Sequence, residues 1–457
     1  MKQAQPVPSG EATIAAFATA VGGPVAIIRI SGNGALDTAG AVWRGKEPLD
    51  RARPRQLHLG TLVSSTGEVD NKAMAVYMPA PASYTGEDMV EIHCHGGVLG
   101  ARLALLAVLR HGARHAEPGE FTRRAFVNGK MDLTQAEAVA DVINAHTEAA
   151  LHLANRQLQG VLSREVKALY ADLSYLLTEV EVRLDFPEED LDWLSPAELN
   201  TQLGDAAESI SRLLASRNEV EVLREGIVRV IVGAPNVGKS SLLNAILGRE
   251  RAIVTHLPGT TRDTLEELAH IRTIPVRLID TAGIRNAKDV IEQTGIERSY
   301  ASMAGAHIVL WVIDASKPYS DQEWENTGSA AETILVANKS DIAPTLPTDT
   351  PAALRGPVAT CALTGKGLDT LFDSIEEAVW SRPHPAEPEV AVSARHAVQL
   401  ETALAEVRDA KNRAVDGEWE LVAASLRNAT EAVGRITGET AAPDVLDMIF
   451  SRFCIGK

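Results

Sequence analysis

Three cysteines in 457 residues, Cys94, Cys361 and Cys454, are too few for a disulfide framework and fit a reducing compartment. No run approaches the ~20 consecutive apolar residues that a membrane-spanning helix needs. Basic side chains are scarce against acidic ones, 44 to 61, giving a formal charge of −17. That balance argues against a free-standing phosphate-backbone binder, because nucleic-acid affinity rests largely on Lys and Arg; any RNA contact needs a local patch or a basic partner. The only signal-like feature is the short apolar run Ile14 to Ala20, preceded by the single charge of Lys2. These absences read as a soluble, cytoplasmic protein with no membrane partner. The length suggests about three domains at ~150 residues each.

What is present centres on Gly233 to Ser241, a phosphate loop with the spacing GxxxxGKS. It lies between Ile227 to Val232, an apolar run that predicts a buried strand, and Leu242 to Leu247, which has helical spacing. The glycines let backbone N–H groups close round phosphates, Lys239 meets the β and γ charges, and the Ser240 hydroxyl suits magnesium. A second motif, Asn338-Lys339-Ser340-Asp341, follows the apolar run Ile334 to Ala337, where a nucleotide-binding sheet presents its strand ends. Asp341 can accept from both the ring NH and the exocyclic amine of guanine, and Lys339 would lie along the base. A third, Asp280-Thr281-Ala282-Gly283, comes after the strand-like Val276 to Ile279. There Asp280 would hold the magnesium water shell and Gly283 could donate its N–H to the γ-phosphate. Between the first and third motifs Thr261, in Gly259-Thr260-Thr261-Arg262-Asp263, is the candidate second magnesium hydroxyl. Together they define a GTP switch, two loops ordered by the γ-phosphate and loosened when it leaves.

Around this segment the pattern changes twice. Residues 1–128 alternate strand-like runs (Val25 to Ile30, Leu57 to Val63, Ala73 to Met78, Val90 to His95) with a helix from about Val98 to Leu109, an α+β domain. His93-Cys94-His95 invites a metal reading, but in a strand Cys94 leaves the face the two histidines share. From residue 129 to 225 the period is helical, with Leu162, Val166, Leu169, Leu173, Leu176, Val180 and Leu184 as one stripe. A carboxylate-rich stretch, Asp185 to Asp192, interrupts it and reads as a solvated loop. A further helix is expected from Pro196 to Arg224 with Ser195 as N-cap. The GTPase segment spans 226–380; prolines at 383, 385 and 388 mark a linker, and a helical stripe (Val422, Leu426, Ala429, Val433, Ile436) returns within 381–457. The fold expected is multidomain α+β and α/β: an α/β P-loop domain inserted into a discontinuous helical domain, whose halves pair in space or stand as two independent regions.

Several stretches match one family: Ala26 to Gly32, Ser83 to Gly97, Pro118 to Thr122, Ala125 to Leu133, Gln135 to Val139, the GTTRD segment, the three nucleotide motifs and the ending Phe453-Cys454-Ile455-Gly456-Lys457. The chain resembles the MnmE/TrmE tRNA-modification GTPases over essentially its full length. The resemblance implies a dimer that works in a heterotetramer with an FAD-dependent MnmG-type partner. Together they would add an aminomethyl or carboxymethylaminomethyl group to carbon 5 of the wobble uridine of tRNA. It also implies an N-terminal domain binding a 5-formyltetrahydrofolate-type one-carbon donor through the residues that match Arg29, Glu91, Lys130 and Lys457. Arg29 and the lysines can meet folate carboxylates, while Glu91 can accept from the pterin amine and ring NH.

For GTP the resemblance implies contacts from Asn236, Val237, Gly238, Lys239, Ser240 and Ser241. It adds Thr255, His256, Leu257, Pro258, Gly259, Thr260 and Thr261 in the first switch, Asp280, Thr281, Ala282 and Gly283 in the second, and the base-binding Asn338, Lys339, Ser340, Asp341, Cys361, Ala362 and Leu363. Cys361 stands where the family usually has Ser, which removes about 1 kcal/mol of hydrogen bonding from that loop. Ile284 follows the DxxG motif where small GTPases often carry a water-orienting glutamine, so another group must act. The family's glutamate matches Glu292; the residues alone give it no advantage over Asp289 or Glu297. The family also replaces an arginine finger with potassium at the GTPase dimer interface, held by positions matching Asn236, Thr255, Leu257 and Thr260. Two other roles stay open: a regulatory switch of the ribosome-assembly type, and a one-carbon transferase regulated by GTP.

Overall fold

The computed structural model describes residues 12–145, 147–186, 194–217, 222, 227–234, 236–249, 266–272, 274–280, 308–317, 332–342, 354–380, 390–440, 442–451 and 453–457. The chain divides into two compact units. One draws on Met1–Ala140, Gln157–Ser211 and Val398–Lys457; the other on Asp141–Arg156 and Arg212–Ala397.

In the first unit the sheet has seven strands: β1 (Ile14–Phe17), β2 (Val25–Ser31), β3 (Trp43–Gly45), β4 (His58–Ser64), β5 (Gly67–Met78), β6 (Met89–His95) and β7 (Arg114–His115). Their spatial order is β3-β4-β5-β6-β2-β1-β7. The short apolar run Ile14 to Ala20, too short and too little charged for a signal, begins with β1, antiparallel to β2 and parallel to β7, with Ile14, Ala15 and Ala16 fully buried. Two helices, α1 (Ala35–Val42) and α2 (Val98–Arg110), share one core with the sheet. Alternation along β2 turns Ala26, Ile28 and Ile30 into that core and leaves Ile27 and Arg29 half-buried. An arginine inside an apolar strand is thereby accounted for, since it occupies the face away from the helices.

Helix α3 (Glu120–Val127) sends Phe121 into a small cluster with Ile14, Ala16 and Ala116. The helical region follows: α4 (Leu133–Asn144), α5 (Glu148–Leu158), α6 (Val161–Asp185) and α7 (Pro196–Ala215). Gly160, at φ 78°, precedes α6 in a left-handed conformation that ends one helix and lets the next start. Ser195 and Glu198 cap α7 reciprocally, each accepting from the other's backbone N–H at 3.2 and 2.8 Å. This helix closes at Ala215, where the Ser216 N–H and hydroxyl turn back to the Leu213 carbonyl; of the expected continuation to Arg224, residues 218–221, 223 and 224 lie outside the described residues.

The second unit is an α/β sheet of β8 (Ile227–Val232), β9 (Glu266–Ile271), β10 (Ile274–Asp280), β11 (Ile308–Asp314), β12 (Glu332–Asn338) and β13 (Leu354–Ala359), with α8 (Lys239–Arg249) and α9 (Leu368–Trp380). The order β13-β12-β11-β8-β10-β9 is parallel except for the hairpin partner β9. Strand β11 is buried along its whole length, as a central parallel strand must be. The expected linker prolines at 383, 385 and 388 lie outside the described residues; beyond them come α10 (Ala394–Asp416), α11 (Trp419–Thr437) and α12 (Pro443–Phe450). Within the first unit α11 packs on α6: its stripe Val422, Leu426, Ala429, Val433 and Ile436 is fully buried, facing the buried Leu162, Val166, Leu173 and Leu176 row. Phe450 and Phe453 then pack with Leu133 and Ala136, and Ile455 bridges to Pro118.

Candidate functional sites

The loop after β8 is held by the motif at the end of β12. Asn338 is buried; its Nδ2 donates to the Val237 carbonyl at 3.0 Å and its Oδ1 accepts from the Ala362 N–H at 3.1 Å. A single side chain therefore ties together the phosphate loop and the segment carrying Cys361 and Leu363. Gly238, at φ 97°, permits this approach, because a Cβ there would overlap the Asn338 amide. Lys239 Nζ donates to the carbonyls of Gly233 and Ala234 at 2.8 and 2.9 Å, and Ser240 and Ser241 are in the first turn of α8. Backbone N–H groups at a helix start, a loop that leaves no room for a Cβ and an adjacent ammonium fit a polyphosphate.

Lys339, at φ 61°, donates to the Asn236 carbonyl at 2.8 Å and to Asp314 Oδ2 at 2.7 Å. Asp314 ends β11 and also accepts from the Ser316 N–H and hydroxyl at 3.0 and 2.6 Å. Burial pushes its carboxyl up, but the Lys339 and Ser316 donors outweigh burial and hold it at about 2. Ser340 donates its N–H to Thr360, and Asp341 is exposed on the turn that follows. Cys361 is buried, its N–H engaged by Lys366, and Leu363 is exposed. Asp280 ends β10 in register with Ile231 of β8, so the backbone of the DxxG motif starts from the same sheet edge as the phosphate loop. Thr255, His256, Leu257, Pro258, Gly259, Thr260, Thr261, Thr281, Ala282, Gly283 and Glu292 lie outside the described residues.

In the first unit, register does what sequence distance conceals: Arg29 of β2 is paired with Glu91 of β6. Arg29 Nε donates to Glu91 Oε1 at 2.9 Å, its second amino group makes the same contact, and Nη1 donates to the Gly456 carbonyl at 3.2 Å. The guanidinium lies 5.5 Å from the Tyr84 ring centre and 5.7 Å from that of Phe121. His93, with Nε2 3.6 Å from Oε2, lowers the Glu91 carboxyl below its ordinary value; burial opposes it and the Arg29 charge adds to it. A cavity of ≈ 390 Å³ opens here, lined by Arg29, Arg55, Val76, Met78, Tyr84 and Glu91 among others. Its volume and its mix of apolar wall and a few convergent polar groups suit a heteroaromatic ligand. Lys130 Nζ donates to the Pro81 carbonyl at 3.0 Å, and Lys457 directly follows the Gly456 that meets Arg29.

Profiles of known families match the chain in two blocks. Residues 13–130 match the GTP-binding protein TrmE N-terminus, and residues 133–454 match the MnmE helical domain. The chain belongs to the MnmE/TrmE family of tRNA modification GTPases. Among curated MnmE proteins it is 44% identical to that of Geobacter metallireducens, over 98% of this chain and 99% of the relative. It is 45% identical to that of Chloroflexus aurantiacus, over 97% and 99%. Among solved structures, the G domain of the T. maritima FeoB iron transporter is 27% identical, covering 33% of this chain and 98% of its own, at a TM-score of 0.26.

Within this MnmE/TrmE chain the structure brings together Arg29, Glu91 and the Gly456 backbone, and likewise Asn236, Val237, Asn338, Lys339 and Ala362. Sequence reasoning did not find Asp314, Tyr84 or Arg55. Asp314 carried a legible signal, a carboxylate closing a wholly apolar strand. Arg55 carried none. Cys94 of the HCH run turns into the helix-side core, where burial pushes its thiol up to about 11, while His95 pairs with Asp70 at 2.9 Å. Among the described residues no group of three or more His, Cys, Asp or Glu is gathered for a metal. None of the described helices is long and apolar enough to cross a membrane.

Proposed function

We propose that this chain is a potassium-stimulated GTPase that acts in the cytoplasm on the wobble uridine of tRNA, as a homodimer joined to an FAD-dependent MnmG-type partner. The observation that carries the reading is the lock between Asn338 and Val237, which joins a phosphate loop to a guanine motif in a chain 44% identical to tRNA modification GTPases. We assign residues 1–128 to folate binding and dimerisation, 129–225 and 381–457 to the helical domain, and 226–380 to the GTPase domain.

In the GTPase domain Lys239 and the loop N–H groups bind the β- and γ-phosphates, Asp341 selects guanine, and Lys339 lies along the base. Ser240 and Thr261 supply magnesium oxygens; Asn236, Thr255, Leu257 and Thr260 form a potassium cage. When bound, the two cations neutralise the charge that develops on the phosphates. Glu292 orients the attacking water. In the N-terminal domain the Arg29–Glu91 pair, with Lys130 and Lys457, holds a 5-formyltetrahydrofolate-type ligand whose formyl group supplies the one-carbon unit. Glu91, kept ionised, accepts from the pterin edge.

Nucleoside analysis of total tRNA tests the reading. A strain lacking this chain is expected to carry unmodified wobble uridine that the wild-type gene restores and a Lys239→Ala variant does not. A deletion strain with normal wobble uridine and defective ribosomal subunits would replace the reading with an assembly switch.

A further inference from the structure

The Arg29–Glu91 pair has a consequence for how a folate would lie. All three guanidinium nitrogens of Arg29 are engaged, two by Glu91 and one by the Gly456 carbonyl, and the side chain is largely buried against two aromatic rings. Its charge is already compensated at the inner end of the cavity. A ligand carboxylate placed there would meet Glu91 as well, and like charges at that range repel. The tail of a folate must therefore find its cations elsewhere.

Two such groups, from separate parts of the chain, lean on one segment beside the cavity, Pro81-Ala82. Arg55 lines the cavity and donates from Nη2 to the Ala82 carbonyl at 2.8 Å; Lys130 donates to the preceding carbonyl, Pro81, at 3.0 Å. The Ala82 residue itself lines the cavity. Arg55 is exposed, and its backbone adopts φ 60°, a conformation costly for an arginine, fixed by its N–H bond to the Tyr77 carbonyl at 2.8 Å. Among the described residues both cations are held only by neutral carbonyl oxygens, which a carboxylate outcompetes. Among the cavity-lining side chains the charges are two arginines against one glutamate. The inner end thus offers an acceptor edge to a pterin, and the outer end a positive rim.

We propose that Arg55, together with Lys130, binds the glutamyl carboxylates of the folate tail, so that the site prefers polyglutamylated over monoglutamylated 5-formyltetrahydrofolate. The proposal rests on the folate reading above. Solvent-exposed ion pairs are worth up to roughly fivefold in affinity each and are screened by salt.

Isothermal titration of the full-length chain with the mono- and triglutamate forms tests this. The wild-type chain is expected to bind the triglutamate about fivefold more tightly at low salt, with the gap closing near 0.5 M salt, on the order of a 4 Å screening length. Arg55→Ala is expected to erase the preference and Arg55→Lys, which keeps the charge, to retain most of it. Equal wild-type affinity for both forms, or an undiminished preference in Arg55→Ala, overturns the rim while leaving the folate site standing. Failure of both forms to bind wild type overturns the folate reading and the rim with it.

Discussion

Lys339 Nζ lies 2.7 Å from Asp314 Oδ2 and 2.8 Å from the Asn236 carbonyl, so one ammonium joins the end of β11 to the phosphate loop. The carboxylate aims the lysine that lies along the base in the proposed complex. Asp314→Asn keeps the shape and removes the charge. It is expected to weaken guanine nucleotide binding by about three- to tenfold, a loss suited to one charged hydrogen bond, measured by equilibrium titration of a fluorescent GDP.

The same residue sets a pH dependence. Its folded value, about 2, lies below the ~3.9 of an unfolded aspartate, so its contribution to stability is present above pH ~4 and is lost as pH falls toward 2. Unfolding curves of wild type and Asp314→Asn should therefore differ at neutral pH and converge through that window. A gap that stays constant from pH 7 to pH 2.5 would show that the carboxylate charge plays no part.

Gly238→Ala places a methyl group against the Asn338 amide at a position held at φ 97°. A strained left-handed alanine costs on the order of 1–3 kcal/mol, and the displaced asparagine releases both Val237 and Ala362. Nucleotide affinity is expected to fall by more than about a hundredfold, in keeping with the loss of several coupled contacts. Retained affinity in this variant would mean that the Asn338 lock is dispensable.

Arg29→Ala leaves Glu91 without its charge partner. Breaking a buried pair from one side costs about 3 kcal/mol, less where water reaches it, as it does here with both side chains 16–17% exposed. The variant should lose both folate binding and thermal stability. Adding Glu91→Gln is expected to recover part of the stability and none of the binding, which separates the ion pair's structural role from its ligand role.

Much of this site was legible because its residue types are forced. A loop that packs its backbone against a buried amide needs glycine, which Gly238 supplies, and the polar residue closing the apolar run of β12 is Asn338, the side chain that meets it. The strand β1 was not legible. Ile14 to Phe17 is only four residues long and is covered on both faces, so it lacks the alternation that marks a half-buried strand and reads as a feeble signal sequence. Strand β13 was hidden by Gly356 and Pro357, both breakers by composition, at the edge of the sheet. Arg29 and Glu91 are 62 positions apart, and only antiparallel register makes them neighbours. Lys457 looks like a surface charge until the preceding carbonyl is found against Arg29, where Gly456 fits because a Cβ would overlap the Phe17 carbonyl.

Glu292→Ala tests the hydrolytic assignment. It should leave GTP affinity unchanged and lower turnover by a hundredfold or more, on the order of the effect of removing a group that acts only in the transition state. Unchanged turnover would move the role to Asp289 or Glu297.

The central claim is that hydrolysis depends on an alkali cation held beside the phosphate loop. Single-turnover GTP hydrolysis, measured in potassium and in sodium at equal ionic strength, tests it directly. The account predicts a rate at least about tenfold higher in potassium, lost in Asn236→Ala. Equal rates in the two salts, with Asn236→Ala as active as wild type, would contradict it.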